Sequence, residues 1–185
     1  IPSIEKYKKF KSNIKNSYLK SDLNNENMSF VLSLSKLLKI GEKNLSNSLK
    51  KFSGLPHRYE IFYKKKNCIF INDSKATSFQ STKFALENTK NIFWIVGGLP
   101  KKNDKISLKH LKKNIVKTYI IGKNINFFKK QLQNKINYHI ANNLKNSLRR
   151  VVKDIKLLKK QNNTVLVSPA SASYDQFLNF EDRGN

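Results

Sequence analysis

Ile69-Phe70-Ile71-Asn72-Asp73-Ser74-Lys75-Ala76-Thr77 is an apolar run that stops in a cluster of small polar and charged residues. The run reads as a buried strand. The residues behind it, 79–86, have the spacing of an amphipathic helix, so residues 72–78 are predicted to form a strand-to-helix turn. In an open parallel sheet such turns lie at the carboxyl edge of the strands, where ligands bind. If the backbone stays extended through the turn, side-chain alternation puts Asp73 and Lys75 on one side, with the hydroxyls of Ser74 and Thr77 beside them.

On both sides of this stretch the pattern alternates. Residues 59–63 read as a strand, residues 64–67 as a turn, and 69–71 as the central strand. There follow helix 79–88, strand 92–96, a Gly97-Gly98 turn, helix 107–113, strand 116–121, helix 125–133, strand 137–140, helix 142–160, strand 164–167 and a last helix beginning at Ser173. Strands separated by helices pair in parallel through right-handed crossovers. The expected fold is α/β, a doubly wound and mostly parallel sheet. The Gly/Pro break at residues 53–58 sets a boundary between residues 1–53 and 54–185. The first segment is expected to hold a buried helix at 28–38 ended by Gly41, a second helix at 43–52, and a weakly alternating strand at 4–10.

The chain has 185 residues and a formal net charge of +25, from 37 Lys+Arg against 12 Asp+Glu. Such a balance raises the alternative of a basic nucleic-acid-binding module. The lysines, however, are spread over nearly every segment and are not interleaved with exposed aromatics as a stacking platform requires. They are read as a solvated surface that still attracts anionic substrates, and no nucleic-acid partner is expected. Cys68 is the single cysteine; it is read as a buried small hydrophobe and suits a reducing cytoplasm. No apolar run approaches a membrane span and no signal pattern opens the chain, so no membrane partner is expected. A start at Ile1 and an end at Arg183-Gly184-Asn185 suggest a fragment. His57, His110 and His139 fall in unlike segments, and no metal site is expected from them.

Polar groups recur where a strand has just ended: Asp73, Lys75 and Thr77; Gly97, Gly98 and Lys101; Ser168, Ser171 and Ser173. Lysines, hydroxyls and backbone N–H groups at one edge describe a site for a carboxylate or phosphate. Arg58 reads either as a surface charge or as a guanidinium reaching a nucleotide phosphate. No phosphate loop occurs in the chain.

Gly54-Leu55-Pro56-His57-Arg58, the 71–77 run, Gly97-Gly98 with Lys101, and Ser168-Pro169-Ala170-Ser171-Ala172-Ser173 continuing to Phe180-Glu181-Asp182-Arg183-Gly184 resemble, in order, the C-terminal part of the D-glutamate-adding ligases of the Mur ligase family. The resemblance runs from about Leu23 to the end. It implies that residues 1–53 are the tail of a central ATPase domain and 54–185 a Rossmann-like, amino-acid-binding C-terminal domain. It implies a cytoplasmic, monomeric enzyme of peptidoglycan synthesis whose substrates are ATP, UDP-N-acetylmuramoyl-L-alanine and D-glutamate. The amide forms through an acyl phosphate, and domain closure excludes water. By similarity Asn24, Asn27, Arg58 and Asp73 contact the nucleotide. Lys75 and Thr77 lie on the substrate-side turn, while Lys101, Ser173 and Phe180 hold D-glutamate, with Ser173 donating near the start of the last helix. The magnesium ligands and phosphate loop belong upstream, so no catalytic residue is assigned and the chain alone is expected to be inactive. Leu23 and Leu99-Pro100 depart from the family pattern. The remaining alternative is another ATP-dependent amide ligase of this architecture.

Overall fold

The structure is a computed structural model that describes residues 4–16, 19–20, 24–158 and 162–185. The chain divides into two compact units, Ile1–Gly54 and Leu55–Asn185.

In the first unit α1 (Ile4–Phe10), α2 (Asn25–Leu37) and α3 (Glu42–Lys51) surround a small core of Tyr7, Phe10, Ile14, Leu19, Met28, Leu32 and Leu45. The stretch expected to be a strand at 4–10 is a helix. Its apolar residues Ile4, Tyr7 and Phe10 recur every third position, which lines one helical face rather than one face of a strand. Tyr7 anchors it by donating to the Leu19 carbonyl at 3.2 Å. The second helix is only half buried, with Phe30, Leu34, Leu37 and Leu38 exposed. It does not run to Gly41. Lys39 takes a left-handed conformation (φ 55°) and donates to the Lys36 carbonyl, while Ile40 donates to the Ser35 carbonyl. These two bonds form a Schellman stop, and Gly41 instead precedes α3.

The second unit is a six-stranded sheet in the order β1-β2-β6-β3-β4-β5. Its strands are β1 (Glu60–Lys65), β2 (Cys68–Asn72), β3 (Ile92–Gly97), β4 (Ile115–Ile121), β5 (Tyr138–Asn142) and β6 (Asn163–Val167). Only β1 is antiparallel; it pairs with β2 through a turn at Lys66-Asn67. The run at 69–71 is therefore the second strand from an edge. The centre belongs to β6 and β3, every residue of which is buried, as strands covered on both faces must be. Cys68, at the start of β2, is half-buried rather than buried, and burial raises its thiol pKa.

Alternate side chains go to opposite faces. Ile92, Trp94, Val96, Ile120 and Leu166 pack with Phe79 and Leu86 of α4 (Phe79–Asn88) and Phe128 and Leu132 of α5 (Ile125–Leu132). Phe93, Ile95, Tyr119, Ile121 and Val165 pack with Val151 of α6 (Leu144–Leu158). Two expected helices are absent. Residues 107–113 form a turn and one short 3-10 turn at Lys112–Asn114, because Ile106, Leu108 and Leu111 plug the α4 side of the core in extended and turned backbone. Residues 173–179 form turns, and the last helix, α7, covers only Phe180–Gly184.

A polar network sits on the α6 face. Lys117 Nζ donates to Asp154 Oδ2 at 2.7 Å and the Tyr119 hydroxyl donates to the same oxygen at 2.8 Å. Arg150 Nε donates to Oδ1 at 3.2 Å. Burial alone would raise the Asp154 carboxyl, but the bonds from Lys117 and Tyr119 and the charges of Lys117 and Arg150 hold it below the ordinary carboxylate range. Among the described residues, no helix is long and apolar enough to cross a membrane.

Candidate functional site

One irregular segment organises the carboxyl edge of the sheet. Residues 168–178 cross the ends of four strands instead of entering a helix at Ser173. Gly97 donates its N–H to the Pro169 carbonyl at 3.0 Å. Leu99 and Ala172 form a two-way antiparallel bridge, at 2.8 and 3.0 Å. Asp175 Oδ2 accepts from the Lys123 N–H beyond β4, and Gln176 Nε2 donates to the Asn142 carbonyl at the end of β5. Ser173, 2% exposed, accepts from Gln176 and Phe177 through its carbonyl. It begins a turn and is not a helix cap.

The bridge puts Lys101, two residues past Leu99, and Ser173, one past Ala172, on the same rim. Its Leu99-Pro100 step is therefore anchored by backbone pairing. Lys101 is exposed, and its loop is tied down at Asp104, whose carboxylate accepts from the Phe79 N–H at the start of α4. The glycine next to the bridge is obligatory. Gly98 has φ +135°, and a Cβ there would stand 2.3 Å from the Ala172 carbonyl oxygen and 2.6 Å from Ser171 Oγ. We expect Gly98→Ala to cost at least about 1–3 kcal/mol from backbone strain, read as a lowered melting temperature; an unchanged melt would contradict this geometry.

The 72–78 turn does not stay extended. Ala76 donates to the Asp73 carbonyl at 2.9 Å, which closes a tight turn and sends Asp73 and Lys75 apart. Lys75 swings over the Phe180 ring, its Nζ 3.6 Å from the centroid, a cation–π contact. Ser74 Oγ donates to the Phe180 carbonyl at 2.8 Å. Lys75 and Phe180 are thus brought together, and Thr77 lies half-buried just beyond.

Asp73 turns inward instead of facing the crevice. It is 8% exposed; Oδ2 accepts from Ser168 Oγ at 2.6 Å and Oδ1 from the Tyr59 N–H at 3.1 Å. Burial pushes its pKa up to about 6, against the opposing effects of the Ser168 and Tyr59 bonds and the Arg58 charge. Its bond to Tyr59 fastens the loop that opens this unit, where His57 and Tyr59 both have positive φ, 60° and 47°. Lys75 N–H also donates to the His57 carbonyl, at 3.0 Å. Arg58, exposed, is the side chain this loop presents. Backbone strain of this kind persists only where surrounding bonds enforce it, and it concentrates at functional sites.

Asn24 and Asn27 belong to the first unit. Asn24 is buried at the start of α2, and Asn27 Nδ2 lies 3.4 Å from its Oδ1. Leu23 lies outside the described residues. Among the described residues no three His, Cys, Asp or Glu side chains converge as a metal site would need.

Sequence reasoning missed Arg183. It is 2% exposed, with Nε donating to Ser74 Oγ at 3.0 Å and Nη2 to the carbonyls of Ser74 and Ser171 at 2.8 and 2.9 Å. Burial lowers its pKa to about 10, so it stays charged at neutral pH. A signal was present: the chain has only four arginines among its 37 Lys+Arg, and Arg is the residue whose planar fork Lys cannot replace.

No protein-family model matches the chain. Curated relatives do. A ligase of Wolbachia sp. subsp. Brugia malayi named UDP-N-acetylmuramoylalanine–D-glutamate ligase is 40% identical over 161 residues, 87% of this chain and 32% of the relative. The protein of the same name from Agrobacterium fabrum is 34% identical over 167 residues, 90% of this chain and 36% of the relative. By sequence the chain is a relative of the UDP-N-acetylmuramoylalanine–D-glutamate ligases. It spans about a third of the length of these ligases. Solved structures match in fold. The bifunctional folylpolyglutamate synthase/dihydrofolate synthase of Yersinia pestis aligns with a TM-score of 0.58, covering 86% of this chain and 37% of that one, at 13% identity. MurF of Acinetobacter baumannii aligns with a TM-score of 0.56, covering 80% and 35%, also at 13% identity. The mixed, mostly parallel sheet with flanking helices is thus an architecture that this chain shares with these two neighbours.

Proposed function

We propose that this chain is the C-terminal part of an ATP-dependent ligase that joins D-glutamate to UDP-N-acetylmuramoyl-L-alanine in peptidoglycan synthesis. Residues 1–53 would close the central ATP-binding domain, and 54–185 would form the amino-acid-binding domain. The observation that carries the reading is the basic rim on the carboxyl edge. Lys101 and Ser173 flank one backbone bridge there, and Lys75 and Phe180 are packed against each other. Two ammonium groups at the ends of β2 and β3, with the buried Ser173 beside the bridge, suit a dicarboxylic amino acid.

ATP supplies the phosphoryl group that activates the acceptor carboxylate as an acyl phosphate. This chain's contribution is to hold the incoming amine donor in line and dry. Arg58, exposed on the strained loop, fits a phosphate contact. Asp73 serves it from behind, since both carboxylate oxygens are already engaged inside the protein. Asn24 and Asn27, in the first unit, would contact adenine. The magnesium ligands and phosphate loop lie outside this chain, so the purified chain makes no product. The same assignment places the enzyme in the cytoplasm.

The test is titration of the 15N-labelled chain with D-glutamate. Weak, saturable amide shifts are expected at Lys75, Lys101, Ser173 and Phe180, smaller with L-glutamate and lost in Lys101→Ala. Absence of shifts from these residues in the wild type would refute the amino-acid assignment, and product formed by the chain alone would refute the division of labour.

A further inference from the structure

Arg183 bonds or abuts three of the strand-end segments. Its Nε and Nη2 bind Ser74 after β2, and its Nη2 also binds the Ser171 carbonyl after β6. Its Nη1 lies 3.3 Å from where a Cβ on Gly98, after β3, would stand. That Nη1 is buried with no hydrogen-bond partner among the described residues, and among them the guanidinium makes no ion pair. A buried cation held by carbonyls and a hydroxyl is costly unless its geometry serves something. At 2% exposed it offers a ligand little surface. What it does is fix distances: Ser74 Oγ, which accepts from Arg183, donates onward to the Phe180 carbonyl, and the Phe180 ring lies under Lys75.

We propose that Arg183 is the positioning residue of the amino-acid site, setting the spacing between the Lys75 turn and the Ser171–Ser173 segment without touching the amino acid. This rests on the D-glutamate reading for its functional consequence, but its geometric content stands apart from it. The fork lets Nη2 serve the Ser74 and Ser171 carbonyls while Nε holds the Ser74 hydroxyl; a lysine side chain is one bond shorter, has no donor at the Nε position and cannot make all three bonds. Arg183→Lys therefore preserves the charge and loses the spacing.

The experiment uses the whole chain, with wild type, Arg183→Lys, Arg183→Ala and, as a remote core control, Val151→Ala. Two quantities are read by NMR: the upfield ring-current shift of the Lys75 side-chain methylenes without ligand, and D-glutamate affinity. Arg183→Lys and Arg183→Ala should both move the Lys75 signals toward their unperturbed positions and weaken D-glutamate binding by about tenfold or more. Low millimolar guanidinium ion should restore both in Arg183→Ala only. Val151→Ala should lower the melting temperature and leave both readouts unchanged. Lys75 signals unmoved in Arg183→Lys, or moved equally in Val151→Ala, would overturn the proposal. If the Lys75 signals respond to Arg183 while the wild type binds no D-glutamate, the positioning role stands and the amino-acid assignment fails. If Arg183→Ala does not fold, Arg183→Lys carries both readouts.

Discussion

Asp73→Asn is expected to make the second unit more stable at pH 7, by up to about 3 kcal/mol. Burial raises the Asp73 pKa from 3.8 to about 6, and each step of one in pKa corresponds to about 1.4 kcal/mol. The sign follows from proton counting. Between about pH 4 and pH 6 the folded state holds the Asp73 proton while the unfolded state has lost it, so stability falls as pH rises through this window. Above it the full cost of a buried carboxylate is present. Asparagine cannot ionise. Its carbonyl can accept from the Tyr59 N–H, and its amide can donate to Ser168 Oγ, whose hydroxyl is then free to turn to Thr82 Oγ1, 3.1 Å away. Urea unfolding from pH 4 to pH 7 should show the variant's advantage growing with pH and vanishing near pH 4. A variant less stable than wild type at pH 7 would show that the carboxylate charge is favourable where it sits. A stability cost maintained at the root of the Arg58 loop is the pattern expected of a functional position.

Asp154→Ala should act in the opposite direction and more strongly, destabilising the second unit by about 3–5 kcal/mol, the usual cost of removing one partner of a buried ion pair. Lys117 and Asp154 side chains are 15% and 6% exposed, so the loss leaves an ammonium and the Tyr119 hydroxyl without their acceptor in a largely dry place. Arg150, 43% exposed, simply relaxes into solvent. The melting temperature should fall by about 10 °C or more. Asp154→Asn, which keeps an acceptor, should lose less. The Asp154 carboxyl is held below its ordinary range, so its contribution is present above the unfolded value near pH 4. It is lost as pH falls through the lower folded one. Equal melts for wild type and Asp154→Ala would show that the network carries no net stability.

The alternation of strand and helix and the mostly parallel sheet were legible in the sequence, and the Gly/Pro break at residues 53–58 falls where the chain divides into two compact units. They depend on hydrophobic period and on Gly/Pro breaks, both of which are local. What escaped was set by tertiary contacts. The 107–113 stretch was read as a helix, yet its two apolar residues, Leu108 and Leu111, serve with Ile106 as plugs for the core. Ser173 looks like a helix start, but the Leu99–Ala172 bridge and the Asp175 bond to Lys123 hold that segment across the sheet edge. Asp73 and Lys75 were expected on one side, and a single i to i+3 bond to Ala76 separated them. For residues 4–10 the spacing itself, read as three rather than two, would have given the helix.

Gly184 meets the imidazole of His57: a Cβ at 184 would fall 2.2 Å from Nδ1 and 2.8 Å from Cε1. Asn72 Nδ2 seals the joint, donating to the Gly184 carbonyl at 2.9 Å and lying 3.0 Å from that same Nδ1. Neither side chain can grow alone: a larger residue at 184 demands a smaller one at 57, and that exchange would loosen the very peptide that presents Arg58. The turn of α7 is thereby a keystone for the loop that opens the domain.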